Sequence, residues 1–450
     1  MKKSQWERRK TPVADPTAYG RHCTCGGPHP TVDTAYFAGK NAAAAVADDL
    51  KKIDPQGSVL VLADENTHRA AGRTILAHLE RQRIDHARLT LPGNISATDR
   101  VADEVYRHSA AHDLILAVGA GTINDLGKYA AGRQGRPYWV FPTAPSMNGY
   151  TSAIAAIKVE GVKRTLPAPP PRFIYIDPDI IGGAPLKLIQ SGYCDILAKS
   201  VSDVDWQIES LLFSGSYCRL PSAIVAQAET SYLDRPEDLR QTQKTTTVMA
   251  LTKGLLVSGA AMTLAGSSAP ASGGEHLFSH FLDMRESITG RVPDLHGLQV
   301  AAGIIVSAAC YRRLAKLDAG ALPCRGHEIY QQESKKIPGI WKTIADDVQK
   351  RFAMKSDALL ALDRLLPKQW GAVRALCRKV RSPRYYARQM RRTGYALTIN
   401  ALNLDPQEFM LAATSSLAIR ERITVLDIAA HAGVLEAAAT DALVILDNVS

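Results

Sequence analysis

One carboxylate and three imidazoles stand in two widely separated stretches of the chain. Gly192-Tyr193-Cys194-Asp195-Ile196-Leu197-Ala198-Lys199 places an aspartate in a segment of helical spacing. Gly273-Gly274-Glu275-His276-Leu277-Phe278-Ser279-His280 sets two histidines at i and i+4, on one helix face, and His296 opens the next apolar helical run. Two or three of these groups can close on one ion. Oxygen and nitrogen donors without a thiolate suit zinc, iron or nickel, and three protein ligands leave one position open for a substrate oxygen. A histidine pair at this spacing serves equally as a surface or hydrogen-bonded feature, so the reading depends on its company.

That company is an alternation of strands and helices. The run 57–64 reads as a strand ending in Asp64, with Glu65-Asn66-Thr67 capping a helix that continues to about residue 82. A second unit follows, with 86–91 as strand and 96–108 as a helix opened by Ser96-x-x-Asp99. In the third, 113–118 runs into Gly119-Ala120-Gly121-Thr122-Ile123-Asn124-Asp125. Glycines between strand and helix let backbone approach a pyrophosphate at the helix N-terminus, although the third glycine of the usual dinucleotide pattern is missing and a tight turn explains the same residues.

Residues 137–140 form another strand, delivering a loop with Thr143, Ala144, Pro145, Ser146, Asn148 and Ser152 where α/β proteins place ligand contacts. A hairpin over 154–159 and 164–166, a proline-rich connector at 167–171 and a strand at 173–177 end the sheet, and from about Ala184 the pattern is helical. The expected class is therefore α/β, a Rossmann-like parallel-sheet nucleotide domain followed by an all-helical metal-binding domain. The expected boundaries are a tail over 1–30, an α/β domain over 31–183 and a helical domain over 184–450.

Composition excludes several alternatives. The formal charge of +10 is spread along the chain without interleaved aromatics, which suits an anionic small substrate and argues against nucleic acid. The most apolar stretch, 250–274, carries Lys253 and is rich in Gly, Ser and Ala, so it reads as a buried helix and exit loop, not a membrane span. Residues 1–10 are basic without an apolar core and read as a frayed tail. Seven cysteines, mostly in apolar segments, point to reduced thiols in the cytoplasm. Cys23 and Cys25 with His29 could hold zinc, yet Cys-x-Cys is not the usual spacing and no second pair lies near in sequence. Residues 350–392, rich in Arg and Lys, read as a solvated helical region.

Together these segments resemble the glycerol-1-phosphate dehydrogenase branch of the iron-containing alcohol dehydrogenase and dehydroquinate synthase-like superfamily. Five matches carry the resemblance: Gly119 to Asp125, Thr143 to Tyr150, Asp195 with Lys199, Gly273 to His280, and His296-Gly297, in family order. It implies NAD or NADP at Gly119, Ala120, Gly121, Thr122, Ile123, Thr143, Ala144, Pro145, Ser146 and Ser152, with Asp64 near the adenosine ribose. It implies one divalent metal on Asp195, His276 and His296, and substrate contact from Asn148, Asp195 and His280, with Asp195 and His280 catalytic. Lys199 stands where iron-type enzymes carry a histidine, which reduces the ligand set to three and favours zinc over iron or nickel. The activity implied is NAD(P)-linked reduction of dihydroxyacetone phosphate to sn-glycerol 1-phosphate, a step of phospholipid biosynthesis, by a cytoplasmic homodimer or larger homo-oligomer. Asn148, where the branch has an aspartate, leaves room for another phosphate or phosphonate carbonyl, for dehydroquinate synthase-like chemistry, or for a non-catalytic nucleotide-binding protein.

Overall fold

Runs of β-branched and aromatic residues build nine strands: β1 (Thr11–Pro12), β2 (Ala35–Ala38), β3 (Val59–Asp64), β4 (His86–Leu91), β5 (Leu114–Gly119), β6 (Tyr138–Pro142), β7 (Ile154–Val159), β8 (Val162–Pro167) and β9 (Phe173–Ile176). In the computed structural model, which describes residues 11–13, 23, 25, 29–54, 56–215, 217–241, 245–318, 322–323 and 325–447, seven of them form one sheet. Its order is β1-β2-β9-β6-β5-β3-β4, parallel except for β1, and β7 and β8 pair as the expected hairpin.

Alternation in the strands feeds two cores. Val59, Val61 and Ala63 of β3 and Leu114, Leu116 and Val118 of β5 face helices α1 (Ala42–Ile53) and α2 (Arg73–Arg81). Leu62, Ile115 and Ala117 face α3 (Asp99–Ser109) and α4 (Gly121–Gln134), in a core that continues into the helical half. Burial on both faces is what a parallel sheet requires. Its register sets Gly119 opposite Pro142, so the loops leaving β5 and β6 share one edge.

Beyond β9, described secondary structure is helical: α5 (Leu186–Leu197), α6 (Lys199–Phe213), α7 (Arg219–Leu233), α8 (Thr245–Ala265), α9 (Gly274–Thr289), α10 (His296–Leu314), α11 (Gly326–Trp341), α12 (Ala345–Ala353), α13 (Ser356–Cys377), α14 (Pro383–Arg392), α15 (Pro406–Ser415), α16 (Val425–His431) and α17 (Leu435–Asp447), with short turns between. Helix α8 is long and apolar enough to cross a membrane, yet 72% of its apolar window is packed inside the protein. It lies on the loop after β6, where Thr151 Oγ1 donates to Leu256 O at 2.5 Å and Thr263 Oγ1 to Thr151 O at 3.0 Å.

Three local expectations need correction. Helix α3 begins at Asp99, not Ser96, because Thr98 is the residue whose hydroxyl accepts from Val101 N. Part of the stretch assigned to a tail joins the sheet, since β1 pairs with β2; residues 1–10 themselves lie outside the described residues. The 350–392 region is solvated on one face only: Leu359, Leu362, Leu366 and Trp370 of α13 are core.

Lys355, at the start of α13, is fully buried. Its ammonium donates to Leu417 O at 2.7 Å and to Asp427 Oδ1 at 2.9 Å, while Asp427 Oδ2 accepts from Thr424 N at 2.7 Å. This pair fixes the segment between α15 and α16, which carries Arg420. Removing one partner strands the other charge in the core. We expect Lys355→Met to lower unfolding free energy by about 3–5 kcal/mol in urea titrations. Lys355→Met combined with Asp427→Asn should recover part of that loss, and a single-variant effect near zero would contradict the assignment.

Candidate metal and coenzyme site

Three helix ends meet at one point. Asp195 lies near the end of α5, His276 in the first turn of α9, and His296 is the first residue of α10. One donor atom from each falls within 4.8 Å of the others, and His276 Nε2 lies 3.2 Å from Asp195 Oδ1. Two glycines permit the approach. A Cβ on Gly297 would sit 1.9 Å from Ser191 O, and one on Gly192 would sit 1.7 Å from Pro145 O, so any side chain would push α10 off α5 or α5 off the β6 loop.

The outer contacts leave each donor turned inward. His276 Nδ1 is held by Glu275 Oε1 at 2.8 Å and His296 Nδ1 by Ser279 Oγ at 2.9 Å, which leaves His276 Nε2 facing Asp195 and His296 Nε2 free to act as a donor. Ser279 is in turn near Gln299 Oε1 at 3.3 Å, and Gln299 Nε2 donates to Asp283 Oδ1 at 3.2 Å. Asp195 Oδ2 accepts from Asn148 N at 2.7 Å, whereas its Oδ1 is buried without an aligned hydrogen bond. Burial would raise the Asp195 pKa. The His276 contact and the charges of Lys199, His276 and His296 outweigh it and hold the carboxyl at about 2. Burial, opposed by Asp195, pushes His296 down to about 4, into the neutral form a metal needs. A buried anionic oxygen facing two imidazoles whose other nitrogens are already anchored fits a divalent cation.

Lys199, the departure noted in the sequence, donates to Ala271 O at 3.0 Å and so supplies charge, not a ligand. His280 is brought to the same place, its ring centroid 6.2 Å from His276 and 5.9 Å from His296. Arg420 Nη2 donates to its Nδ1 at 3.3 Å, placing the ring proton on Nε2. Burial, with the Arg420 and His296 charges, lowers the His280 pKa well below the usual value. Arg420 itself donates to Ser272 Oγ at 2.9 Å, and no carboxylate lies within salt-bridge distance among the described residues. Burial and the neighbouring Arg422 lower its pKa to about 9.

Helix α4 follows Ala120, which precedes it without a side-chain cap, and its first intrahelical bond is Asn124 N to Ala120 O at 2.9 Å. The amides of Gly121, Thr122 and Ile123 therefore have no partner within the helix, the arrangement that receives a phosphate. Thr143 follows β6 beside Gly119, donating to its carbonyl at 3.2 Å. Ala144 O accepts from Tyr150 Oη at 2.7 Å, Pro145 O faces Gly192, and Ser146 O accepts from Ser191 Oγ at 3.1 Å. Two members of the expected coenzyme set are placed differently. Asp64 Oδ1 caps its own helical turn, accepting from Asn66 N and Thr67 N at 2.8 Å each. Ser152 is fully buried, its hydroxyl held among Gly149 O, Ile154 O and the Lys128 ammonium, so it props the loop from inside.

Several contributors escaped sequence reading. Lys128, fully buried, also donates to Ser152 O at 2.9 Å and Ile154 O at 3.2 Å, pinning the loop that carries Asn148. Burial lowers its pKa to about 8 against the pull of Asp125. Asp205 accepts from Gly274 N at 2.7 Å and Val425 N at 2.7 Å, joining the start of α9 to that of α16. Its partners lie too far off in sequence for spacing to reveal them.

Comparison with known proteins gives this geometry its family. The profile described as iron-containing alcohol dehydrogenase matches residues 37–185. Glycerol-1-phosphate dehydrogenase (NAD(P)+) of Bacillus subtilis (strain 168) is 35% identical over 285 residues, 62% of this chain and 72% of that one. The Pyrococcus furiosus protein of the same name is 32% identical over 270 residues, 60% of this chain and 76% of its own. The chain belongs to the iron-containing alcohol dehydrogenase family, a family of oxidoreductases. Solved structures agree on the fold: a probable glycerol dehydrogenase from Sinorhizobium meliloti 1021 superposes with a TM-score of 0.59 at 17% identity, over 92% of this chain and 99% of that one. Maleylacetate reductase from Agrobacterium tumefaciens gives 0.56 at 15%, over 94% and 98%.

The outer contacts make a measurable claim about the triad. Ser279→Ala removes the hydroxyl that orients His296, and we expect zinc affinity, read by competition with a chromophoric chelator, to fall about 10–100-fold. Unchanged affinity would show that the Ser279 hydroxyl does not position a ligand.

Proposed function

We propose that the chain reduces dihydroxyacetone phosphate to sn-glycerol 1-phosphate with NADH or NADPH, at a divalent cation held by Asp195, His276 and His296. The names of the Bacillus and Pyrococcus relatives support the substrate. The single observation that carries the reading is the placement of Arg420, a partly buried guanidinium without a carboxylate partner among the described residues, against His280 beside the Asp195, His276 and His296 triad. A ketone and a phosphate on one small molecule match that pairing of a cation site with a guanidinium.

One carboxylate and two imidazoles favour zinc over iron or nickel. The cation supplies Lewis-acid stabilisation of negative charge on the substrate oxygen. When bound, the coenzyme would supply the hydride, and the amides of residues 121–123 together with Gly119, Ala120, Thr143, Ala144, Pro145 and Ser146 would hold it. The residues of the chain do the rest. Arg420 binds the phosphate and fixes the tautomer of His280, whose Nε2–H donates a hydrogen bond to the substrate oxygen. Asn148, its amide nitrogen buried without a partner, contacts the substrate hydroxyl. That uncharged amide also favours a second reading, reduction of another phosphate or phosphonate carbonyl. Buried Cys194, Cys310 and Cys377 thiols suit a reducing, cytoplasmic setting.

Purified protein should oxidise NADH or NADPH with dihydroxyacetone phosphate and lose that activity to a chelator. His280→Ala should lower kcat about 10²–10⁴-fold with metal content intact. Arg420→Met should raise the KM for dihydroxyacetone phosphate while leaving that for coenzyme unchanged. Absence of metal-dependent turnover with every phosphorylated carbonyl tried would overturn both readings.

A further inference from the structure

A second cluster of metal donors lies away from the triad. The chain leaves the sheet edge after β1, where Val13 N donates to Thr34 O at 3.1 Å, and between these residues it reaches the helical half. There Cys23, Cys25 and His29 meet Cys218, a residue 195 positions beyond Cys23. Cys23 Sγ lies 3.1 Å from Cys25 Sγ, 3.0 Å from His29 Nε2 and 3.3 Å from Cys218 Sγ. His29 Nε2 lies 3.3 Å from Cys25 Sγ and 3.5 Å from Cys218 Sγ.

We propose that Cys23, Cys25, His29 and Cys218 bind a structural zinc ion that fastens the N-terminal segment to the helical half. Three sulfurs and one imidazole are a closed zinc ligand set, with no position left for substrate. At Zn–S of about 2.3 Å and Zn–N of about 2.0 Å a tetrahedron has donor edges of about 3.5–3.8 Å, so the donors here need to spread by at most about 0.7 Å to admit the ion. The sulfurs are too far apart for a disulfide, whose bond is about 2.05 Å.

The surroundings orient the donors. His29 Nδ1 is 2.9 Å from Leu264 O near the end of α8; donating its proton there leaves the Nε2 lone pair toward the three sulfurs. Amide groups point at two of the sulfurs, Leu220 N to Cys218 Sγ at 3.4 Å and Cys25 N to Cys23 Sγ at 3.5 Å, which stabilises thiolates. Cys218 also caps the start of α7 and packs with Trp206 and Ala269 in a small apolar cluster that Cys23 and Tyr217 join. Spacing alone could not supply the fourth ligand, because it lies on a different helix.

This inference is independent of the proposed reaction, and cobalt separates the two sites. Only the cysteine cluster offers thiolates, so titrating reduced, metal-depleted full-length protein carrying Asp195→Asn with Co(II) should give a thiolate-to-cobalt charge-transfer band saturating at one ion per chain, displaced by zinc. Zinc analysis of protein purified without chelator should give two ions per chain, falling to one in Cys218→Ser and to one in Asp195→Asn. Asp195→Asn should keep the cobalt–thiolate band and Cys218→Ser should weaken it. Wild-type protein with reduced thiols and no such band would overturn the proposal. So would an isolated protein with Cys23 and Cys218 joined as a disulfide that binds no zinc after reduction.

Discussion

The fold is committed to keeping one carboxylate charged where no water reaches it. Asp195 has no exposed surface, and a buried anion is tolerated only when every side of it meets a donor or a cation. The Asn148 amide answers one oxygen and His276 faces the other, with the Lys199 charge nearby. Each of these comes from a different part of the chain, so satisfying Asp195 amounts to docking the β6 loop, α5 and α9 against one another.

That docking explains residue types which look unremarkable in sequence. Gly192 and Gly297 have no Cβ because backbone of a neighbouring element occupies the space. Lys128 is buried so that the loop bearing Asn148 has acceptors pinned from below, and Asp205 is buried so that the first turn of α9 cannot shift relative to α16. Asp195, His276 and His296 sit near helix ends, where side chains from three axes can converge without the helices interpenetrating.

The parts legible in the sequence were those with local grammar. Alternating apolar runs marked β3 to β9, the i, i+4 spacing marked His276 and His280, and the loops after β5 and β6 were identified by their glycines and prolines. The four-residue β2 and two-residue β1 lack enough alternation to register and exist because β9 offers an edge to pair with. Thr98 displaced Ser96 as a cap because the cap is decided by which hydroxyl reaches the amide of the first turn. Ser279 and Glu275 stand within the recognised motif, yet their duty toward His296 and His276 depends on contacts that spacing does not encode. Lys355 read as part of a basic, solvated stretch, and only its distant partner Asp427 accounts for its burial.

The hydrogen bond from Asn148 N to Asp195 Oδ2 joins the strand-borne loop directly to the carboxylate of the buried triad. A nucleotide on that loop and a cation at Asp195, as proposed, would act on this shared bond. Whatever free energy a nucleotide gains or loses by moving that loop must reappear, equal in size, in the affinity for the cation, since coupling between two sites is reciprocal. The proposed nucleotide and cation sites would then load as a thermodynamically linked pair.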